Sequence, residues 1–283
     1  MRSHALALVS LVSALLVARA TVAETPVLRF EFQEGLLWIK VTVPQSAEPL
    51  NFLFDTGAGA SVVNRGTADR LGLKLGGRVA VRGVSSTFTG RWLNTSARSG
   101  EVRLPPQYIA VDLRELSKSC RRPVDGLLGA DFFRERIVQI DFEAKTIRLL
   151  AAYVPAHEAE GLPLQMRPCG MRVPITVNGH SNQWVRLDTG CATALQWVTA
   201  RVRPEDCKHQ VAVGLAELSI PQTQTEVWLG ANEFHAVPTG IHAKPIFAGE
   251  AGLLGNGLLS RFSKVTIDAK SSRLFLEPRT VAP

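Results

Sequence analysis

Long apolar runs are almost absent from the 283-residue chain. The main one, residues 5–18, is shorter than the ~20 residues that a membrane-spanning helix needs. Arg2 precedes it and small residues follow at 18–20 and 21–23, so we expect residues 1–23 to be a cleaved signal peptide. An uncleaved leader that anchors the protein in a membrane remains the alternative. We therefore expect an exported protein, either secreted or periplasmic in a bacterium.

Several motifs of common enzyme classes are also missing. The sequence contains no P-loop, no G-x-S-x-G, no H-E-x-x-H and no C-x-x-C, and its six histidines are scattered. Gly57 and Gly59 follow a strand-like segment, but Val62 stands where a dinucleotide-binding loop needs its third glycine. No nucleic-acid-binding motif is present. We expect no cofactor, no metal and no nucleic-acid partner.

Cysteine and tyrosine are scarce, with four and two residues. Four cysteines allow three disulfide pairings, and an exported chain can keep disulfides. We expect Cys191–Cys207, which would close a short loop, while the other pairings stay open.

Acidic residues are missing from residues 70–100, although this segment holds six cationic residues. These are Arg70, Lys74, Arg78, Arg82, Arg91 and Arg98. The simplest interpretation is a solvated face. The sharper one is a rim that attracts acidic substrates or an anionic envelope surface.

An internal repeat organises what is present. Residues 52–57, FLFDTG, recur as 185–190, VRLDTG. Residues 126–129, GLLG, recur as 252–255, and residues 137–141, IVQID, recur as 264–268, KVTID. Because the order is the same in both halves, we infer two similar lobes.

Short β-rich segments with turn residues between them predict an all-β fold. We expect a lobe at residues 24–150, a linker rich in turn residues at 151–163, and a second lobe at 164–283. Helices are expected to be few and short, at residues 67–73, 130–134 and 256–261.

The two Asp-Thr-Gly turns carry the chemistry. In each, apolar residues lead into an aspartate, so a carboxylate ends a buried strand. The glycine allows a turn with unusual backbone angles, and the threonine hydroxyl can hydrogen-bond inward. A pseudo-twofold axis would bring Asp55 and Asp188 together. Two adjacent carboxyls share one proton, and such a pair can activate water and protonate a substrate carbonyl.

These motifs resemble those of the pepsin-like and retropepsin-like aspartic proteases, over roughly residues 24–278. The resemblance implies two pseudo-symmetric closed-barrel lobes of the acid protease fold, with retropepsin-sized lobes, in a monomer. It assigns catalysis to Asp55 and Asp188. It assigns the active-site turns and the strands beneath them to the following residues: Thr56, Gly57, Thr189, Gly190, Leu127, Leu128, Gly129, Leu253, Leu254 and Gly255. The implied activity is endopeptidase cleavage of an extended peptide, with a membrane contact only if the leader is uncleaved.

The resemblance also implies a flap over the substrate. We expect it near residues 79–92, with Gly83, Phe88 and Gly90 as candidate tip or hinge residues, and with Gly214 at the equivalent place in the second lobe. Neither tyrosine, Tyr108 or Tyr153, falls in this segment.

Four positions depart from the family pattern. Ala58 and Cys191 replace a hydroxyl after each catalytic glycine, and Gly59 and Ala192 replace an Asp or Ser. Loss of the hydroxyls should favour protonated carboxyls, so we expect a pH optimum less acidic than that of pepsin. The departures keep open a catalytically weak or inactive peptide-binding protein of the same fold. A barrel that binds sugars or other small ligands would leave the doubled Asp-Thr-Gly unexplained.

Overall fold

The computed structural model describes residues 25–83, 87–155, 161–199, 208–213 and 216–279. The expected signal peptide lies outside these residues, as do Cys207 and Gly214. None of the helices in these ranges is long and apolar enough to cross a membrane.

Strands dominate the first half of the chain. They are β1 (Val27–Gln33), β2 (Leu36–Val41), β3 (Leu50–Phe54), β4 (Val62–Asn64), β5 (Leu75–Arg82), β6 (Thr87–Asn94), β7 (Arg98–Ser99), β8 (Val102–Arg103), β9 (Gln107–Val111), β10 (Gly126–Leu128), β11 (Ile137–Asp141) and β12 (Thr146–Leu150).

The second half is built in the same way. Its strands are β13 (Leu162–Pro163), β14 (Gln165–Arg167), β15 (Gly170–Val177), β16 (His180–Leu187), β17 (Leu195–Val198), β18 (Lys208–Val213), β19 (Ala216–Leu229), β20 (Asn232–His242), β21 (Gly252–Leu254), β22 (Phe262–Asp268) and β23 (Arg273–Pro278).

Helices are few and short: α1 (Arg65–Arg70), α2 (Arg114–Ser119), a 3₁₀ helix at Ala130–Phe133, and α3 (Asn256–Leu259). Three of them overlap the expected helices. Helix α2 was not anticipated; its N-cap residue, Leu113, makes no side-chain capping bond. The all-β class with a few short helices is confirmed. That each lobe closes into a barrel stays a prediction.

The sequence repeat has a counterpart in the strand pairings. In the first half β10 runs parallel to β3 and antiparallel to β4, and β4 runs parallel to β9, followed by β6 and β5. In the second half β21, β16, β17, β20, β19 and β18 take the same places in the same directions. The two expected flap hairpins, β5–β6 and β18–β19, are therefore equivalent.

A shared sheet joins the halves through β11 and β22. These antiparallel strands carry the third repeated motif, and their central residues, Gln139 and Thr266, are paired. Gln139 Nε2 donates to Thr266 Oγ1 at 3.0 Å. Because these two residues occupy the same place in the repeat, a pseudo-twofold axis passes between them.

The main hydrophobic core contains buried residues from both halves. A second cluster, which includes Trp38, Ile109, Leu116 and Leu127, lies in the first half beside the β5–β6 hairpin. The lobe and linker boundaries stay predictions; β13 occupies the end of the expected linker, and residues 156–160 lie outside the described ranges.

Candidate active site

The two aspartates follow directly from the buried ends of β3 and β16. Asp55 N–H donates to the carbonyl of Leu128 at 2.9 Å, and Asp188 N–H donates to the carbonyl of Leu254 at 2.9 Å. Each Leu-Leu-Gly strand therefore extends its parallel pairing into the aspartate and fixes the start of the turn.

The two threonines bond across the lobe interface rather than within their own turns. Thr56 Oγ1 donates to Leu187 O at 2.7 Å and accepts from Thr189 N–H at 3.0 Å. Thr189 Oγ1 donates to Phe54 O at 2.6 Å and accepts from Thr56 N–H at 3.0 Å. Both side chains are buried. The hydrogen bond that we expected within each turn is thus made to the opposite turn, and the reciprocal pair of bonds holds the two turns together.

Gly57 and Gly190 are required for space. A Cβ on Gly57 would lie 2.4 Å from the carboxyl carbon of Asp188, and a Cβ on Gly190 would lie 2.5 Å from that of Asp55. Neither glycine has a positive φ, so a left-handed backbone is not the reason that glycine is needed here. Each turn lacks a side chain because the opposite carboxyl occupies that space.

The two carboxyls accept different numbers of backbone hydrogen bonds. Asp55 Oδ1 accepts from Gly57 N–H at 2.9 Å and from Ala58 N–H at 3.1 Å. Asp188 Oδ1 accepts from Gly190 N–H at 2.9 Å. Each carboxyl also influences the pKa of the other. With more backbone N–H groups facing Asp55, the negative charge is better stabilised there.

The electrostatics agree with this asymmetry. Burial raises the pKa of both aspartates, and the neighbouring charge of Asp55 raises the pKa of Asp188 further. Arg186 opposes both shifts. The favoured state is one shared proton, with Asp188 protonated and Asp55 ionised, because two adjacent buried carboxylates repel each other.

Arg186 is a residue that we did not single out in the sequence. Its buried guanidinium donates through Nε and Nη2 to both oxygens of Glu250, at 2.8 Å each, and through Nη1 to Gly57 O at 2.7 Å. Arg172 Nε donates to the same Glu250 at 2.9 Å. The sequence repeat could have identified this residue. Arg186 aligns with Leu53 and is a charged residue in the otherwise apolar segment that precedes the aspartate.

The departures at Gly59 and Ala192 follow from contacts between lobes. A Cβ on Gly59 would lie 2.9 Å from Pro168 O, at the β14–β15 turn of the other half. Gly35, at the β1–β2 turn, packs against Ala192 in the equivalent way, with its φ at +75°. Both positions are covered by a hairpin turn, so small residues are needed there.

Cys191 does not form the expected disulfide with Cys207. It is a free, buried thiol, and Cys207 lies outside the described residues. The Cys191 sulfur lies 3.2 Å from Thr193 Oγ1. Burial raises the pKa of this thiol to about 12, so it stays neutral beside the aspartates.

The Leu-Leu-Gly strands lie beneath the turns. Leu128, Leu253 and Leu254 are fully buried, whereas Leu127 also lines the cleft. A Cβ on Gly129 would meet the Ala60 backbone at 2.5 Å, and one on Gly255 would meet Thr193 O at 2.3 Å. Both glycines let the strand pass directly under a turn.

The four residues expected in the flaps lie in different kinds of places. Gly83 directly follows β5 and lines the cleft. Phe88 is half-buried on β6 and does not line it. Gly90 is neither tip nor hinge: it lies inside β6 opposite Val79, and a Cβ there would meet Ile109 Cγ2 at 2.5 Å. Gly214 lies outside the described residues.

The cleft has a volume of about 660 Å³ and contains both aspartates. Its wall on the first lobe is largely apolar and includes Val62, Trp92 and Ile109. One group within the described ranges brings possible metal ligands together, at Glu226, Glu233 and His235. The two ring nitrogens of His235 face different carboxylates, and none of the three residues lines the cleft, so we assign no metal to them.

A family model described as aspartyl protease matches residues 39–132, which include Asp55 and Leu127 and end before the second half. No curated protein matches the chain.

Proposed function

We propose that the protein is an aspartic endopeptidase in which Asp55 and Asp188 act as one catalytic pair. The observation that carries this proposal is the reciprocal packing of each carboxyl against the other turn's glycine, together with the threonine bonds across the interface. The aspartyl protease match over residues 39–132 supports it independently.

The proposed reaction uses water as the nucleophile. Ionised Asp55 takes a proton from the water while the water oxygen attacks the peptide carbonyl carbon. Asp188 gives its proton to the carbonyl oxygen. The resulting gem-diol collapses: the leaving nitrogen takes the proton from Asp55, the C–N bond breaks, and one hydroxyl returns its proton to Asp188. Both carboxyls regain their starting states, and no covalent enzyme intermediate forms.

The burial of the pair supports these roles. Its one-proton state should persist to higher pH than for exposed carboxyls, because burial raises the pKa of both aspartates. We therefore propose activity at mildly acidic rather than strongly acidic pH. A rate maximum near pH 2 would contradict this.

A digest of a peptide library tests the function. Wild type should cut peptides, Asp55→Asn and Asp188→Asn should not, and a pepstatin-like transition-state mimic should inhibit. Binding of peptides without any cleavage by wild type would indicate the alternative, an inactive peptide-binding protein.

We also propose export and a monomeric state. The apolar segment at residues 5–18 and the presence of both aspartates in one chain support these two proposals. A mature N-terminus close to residue 24 in the exported fraction, and elution at the mass of one chain, would be the expected results. Retention of residues 1–23 in a membrane fraction would instead indicate an anchor.

A further inference from the structure

The cleft has an unusual balance of charge. Among the described residues that line it, the only acids are Asp55 and Asp188, whereas three arginines line it. They are Arg82, Arg134 and Arg186. The rest of the lining is mainly apolar. A substrate that enters this cleft therefore meets positive charge beside an apolar surface.

Two of these arginines are unused. Arg82, at the end of β5, and Arg134, directly after the 3₁₀ helix, are exposed. Their guanidinium groups make no hydrogen bond or ion pair within the described part of the chain. Both can accept a partner without losing one, which lowers the cost of binding an anion.

The third arginine is already occupied but still contributes charge. Arg186 and Arg172 share the single carboxylate of Glu250, so this cluster keeps one net positive charge beside the pair of aspartates. Because it is buried, its field is screened by solvent less than that of a surface charge. Three of the five N–H donors of Arg186 are already used within the protein, so Arg82 and Arg134 are the freer partners for a substrate carboxylate.

We propose that the cleft selects acidic peptides, in which aspartate or glutamate side chains flank an apolar residue and pair with Arg82 and Arg134. This inference rests on the proposed function. Guanidinium groups match carboxylates through paired N–H···O bonds. The arginines line a cleft beside the apolar wall, which a peptide can fill and a flat membrane surface cannot enter.

Matched peptides provide the test. Three peptides share one apolar core and carry Glu, Gln or Lys at the flanking positions. Wild type should show kcat/KM in the order Glu, Gln, Lys, with a Glu-to-Gln step of up to about fivefold for each exposed ion pair. Arg82→Gln and Arg134→Gln should each shrink the Glu-to-Gln ratio. Arg78→Gln is the control, since Arg78 is exposed on the same strand and does not line the cleft.

Binding to the Asp188→Asn protein separates the inference from the proposed function. If the Glu peptide binds this variant more tightly than the Gln and Lys peptides do, but wild type cuts none of the peptides, the endopeptidase proposal fails and the proposed ligand class stands. If wild type cuts Glu and Gln peptides equally, the inference fails and the endopeptidase stands.

Two further results would overturn the inference. An equal loss of preference in Arg78→Gln would indicate attraction by overall charge rather than contact in the cleft. Binding to anionic vesicles that Arg82→Gln and Arg134→Gln weaken, without any peptide preference, would indicate a membrane surface as the partner.

Discussion

Thr56 and Thr189 join the two turns with four buried hydrogen bonds. Replacing Thr56 by Val keeps the shape but removes the hydroxyl, which leaves Leu187 O and Thr189 N–H unpaired. Each unpaired buried group costs about 1–3 kcal/mol, so we expect Thr56→Val to lower the free energy of unfolding by about 2–6 kcal/mol in urea titrations. Thr56→Ser keeps the hydroxyl and should lose only about 1 kcal/mol. Equal losses in the two variants would contradict the account.

Asp188 makes stability depend on pH. Its pKa is raised in the folded state by burial and by Asp55, so its contribution is favourable below the unfolded value of about 3.9. That contribution is lost as the pH rises toward the folded value. Asp188→Asn has no proton to lose, so its stability relative to wild type should increase from pH 4 to pH 7. Each unit of pKa shift corresponds to about 1.4 kcal/mol. Denaturant titrations at both pH values check this, and a constant difference would contradict it.

Arg186 holds down the pKa of both aspartates. Arg186→Leu introduces leucine, the residue type found at the equivalent position 53 of the first half. It leaves Glu250 with Arg172 as its only arginine partner. The acidic limb of the pH profile of kcat/KM should then move to higher pH, because a positive charge is lost beside a carboxylate that remains. Arg186→Leu combined with Glu250→Leu removes both charges and should move the limb less. A purely structural role would lower activity without moving either limb.

At the scale of elements, the sequence predicts the parts of the site whose signals are local. The strand before each aspartate, the Leu-Leu-Gly strands and the equivalence of the β5–β6 and β18–β19 hairpins all follow from short repeated motifs. The start of helix α2 carries a local signal that we missed: Asp112 Oδ1 accepts from Arg114 N–H at 3.0 Å, and Glu115 lies in the first turn.

Contacts between distant residues could not be predicted in the same way. The packing of Pro168 on Gly59, and of Gly35 on Ala192, depends on how the lobes meet, which no local pattern encodes. Gly90 was misjudged for a related reason. A glycine inside a strand suggests a bend, but here it makes room for Ile109 and Val111 on the neighbouring strand.

Gly90 therefore gives a prediction for the β5–β6 hairpin. Gly90→Ala forces a Cβ against Ile109 and Val111 and should cost about 1–3 kcal/mol of stability by overpacking. Gly77→Ala is the matched control on β5, since nothing lies within 4 Å of its added Cβ. It should be neutral or slightly stabilising. Thermal unfolding of both variants checks this; a neutral Gly90→Ala would show that the wall of the cleft is loosely packed.

For the whole molecule, the pseudo-twofold axis through β11 and β22 relates two turns 133 positions apart in the chain. We propose that their carboxyls form a single chemical unit with one proton, to which each lobe contributes half. Neither half can then supply activity alone.

A double-mutant cycle on kcat/KM measures the coupling between the two carboxyls most directly. Asp55→Asn and Asp188→Asn should each lower kcat/KM by at least ~1,000-fold, since each removes a general acid or base. The double variant should lose no more than either single variant, because groups that act as a unit are not additive. Losses that multiply, or a single variant that keeps most of the wild-type activity, would contradict a shared catalytic pair.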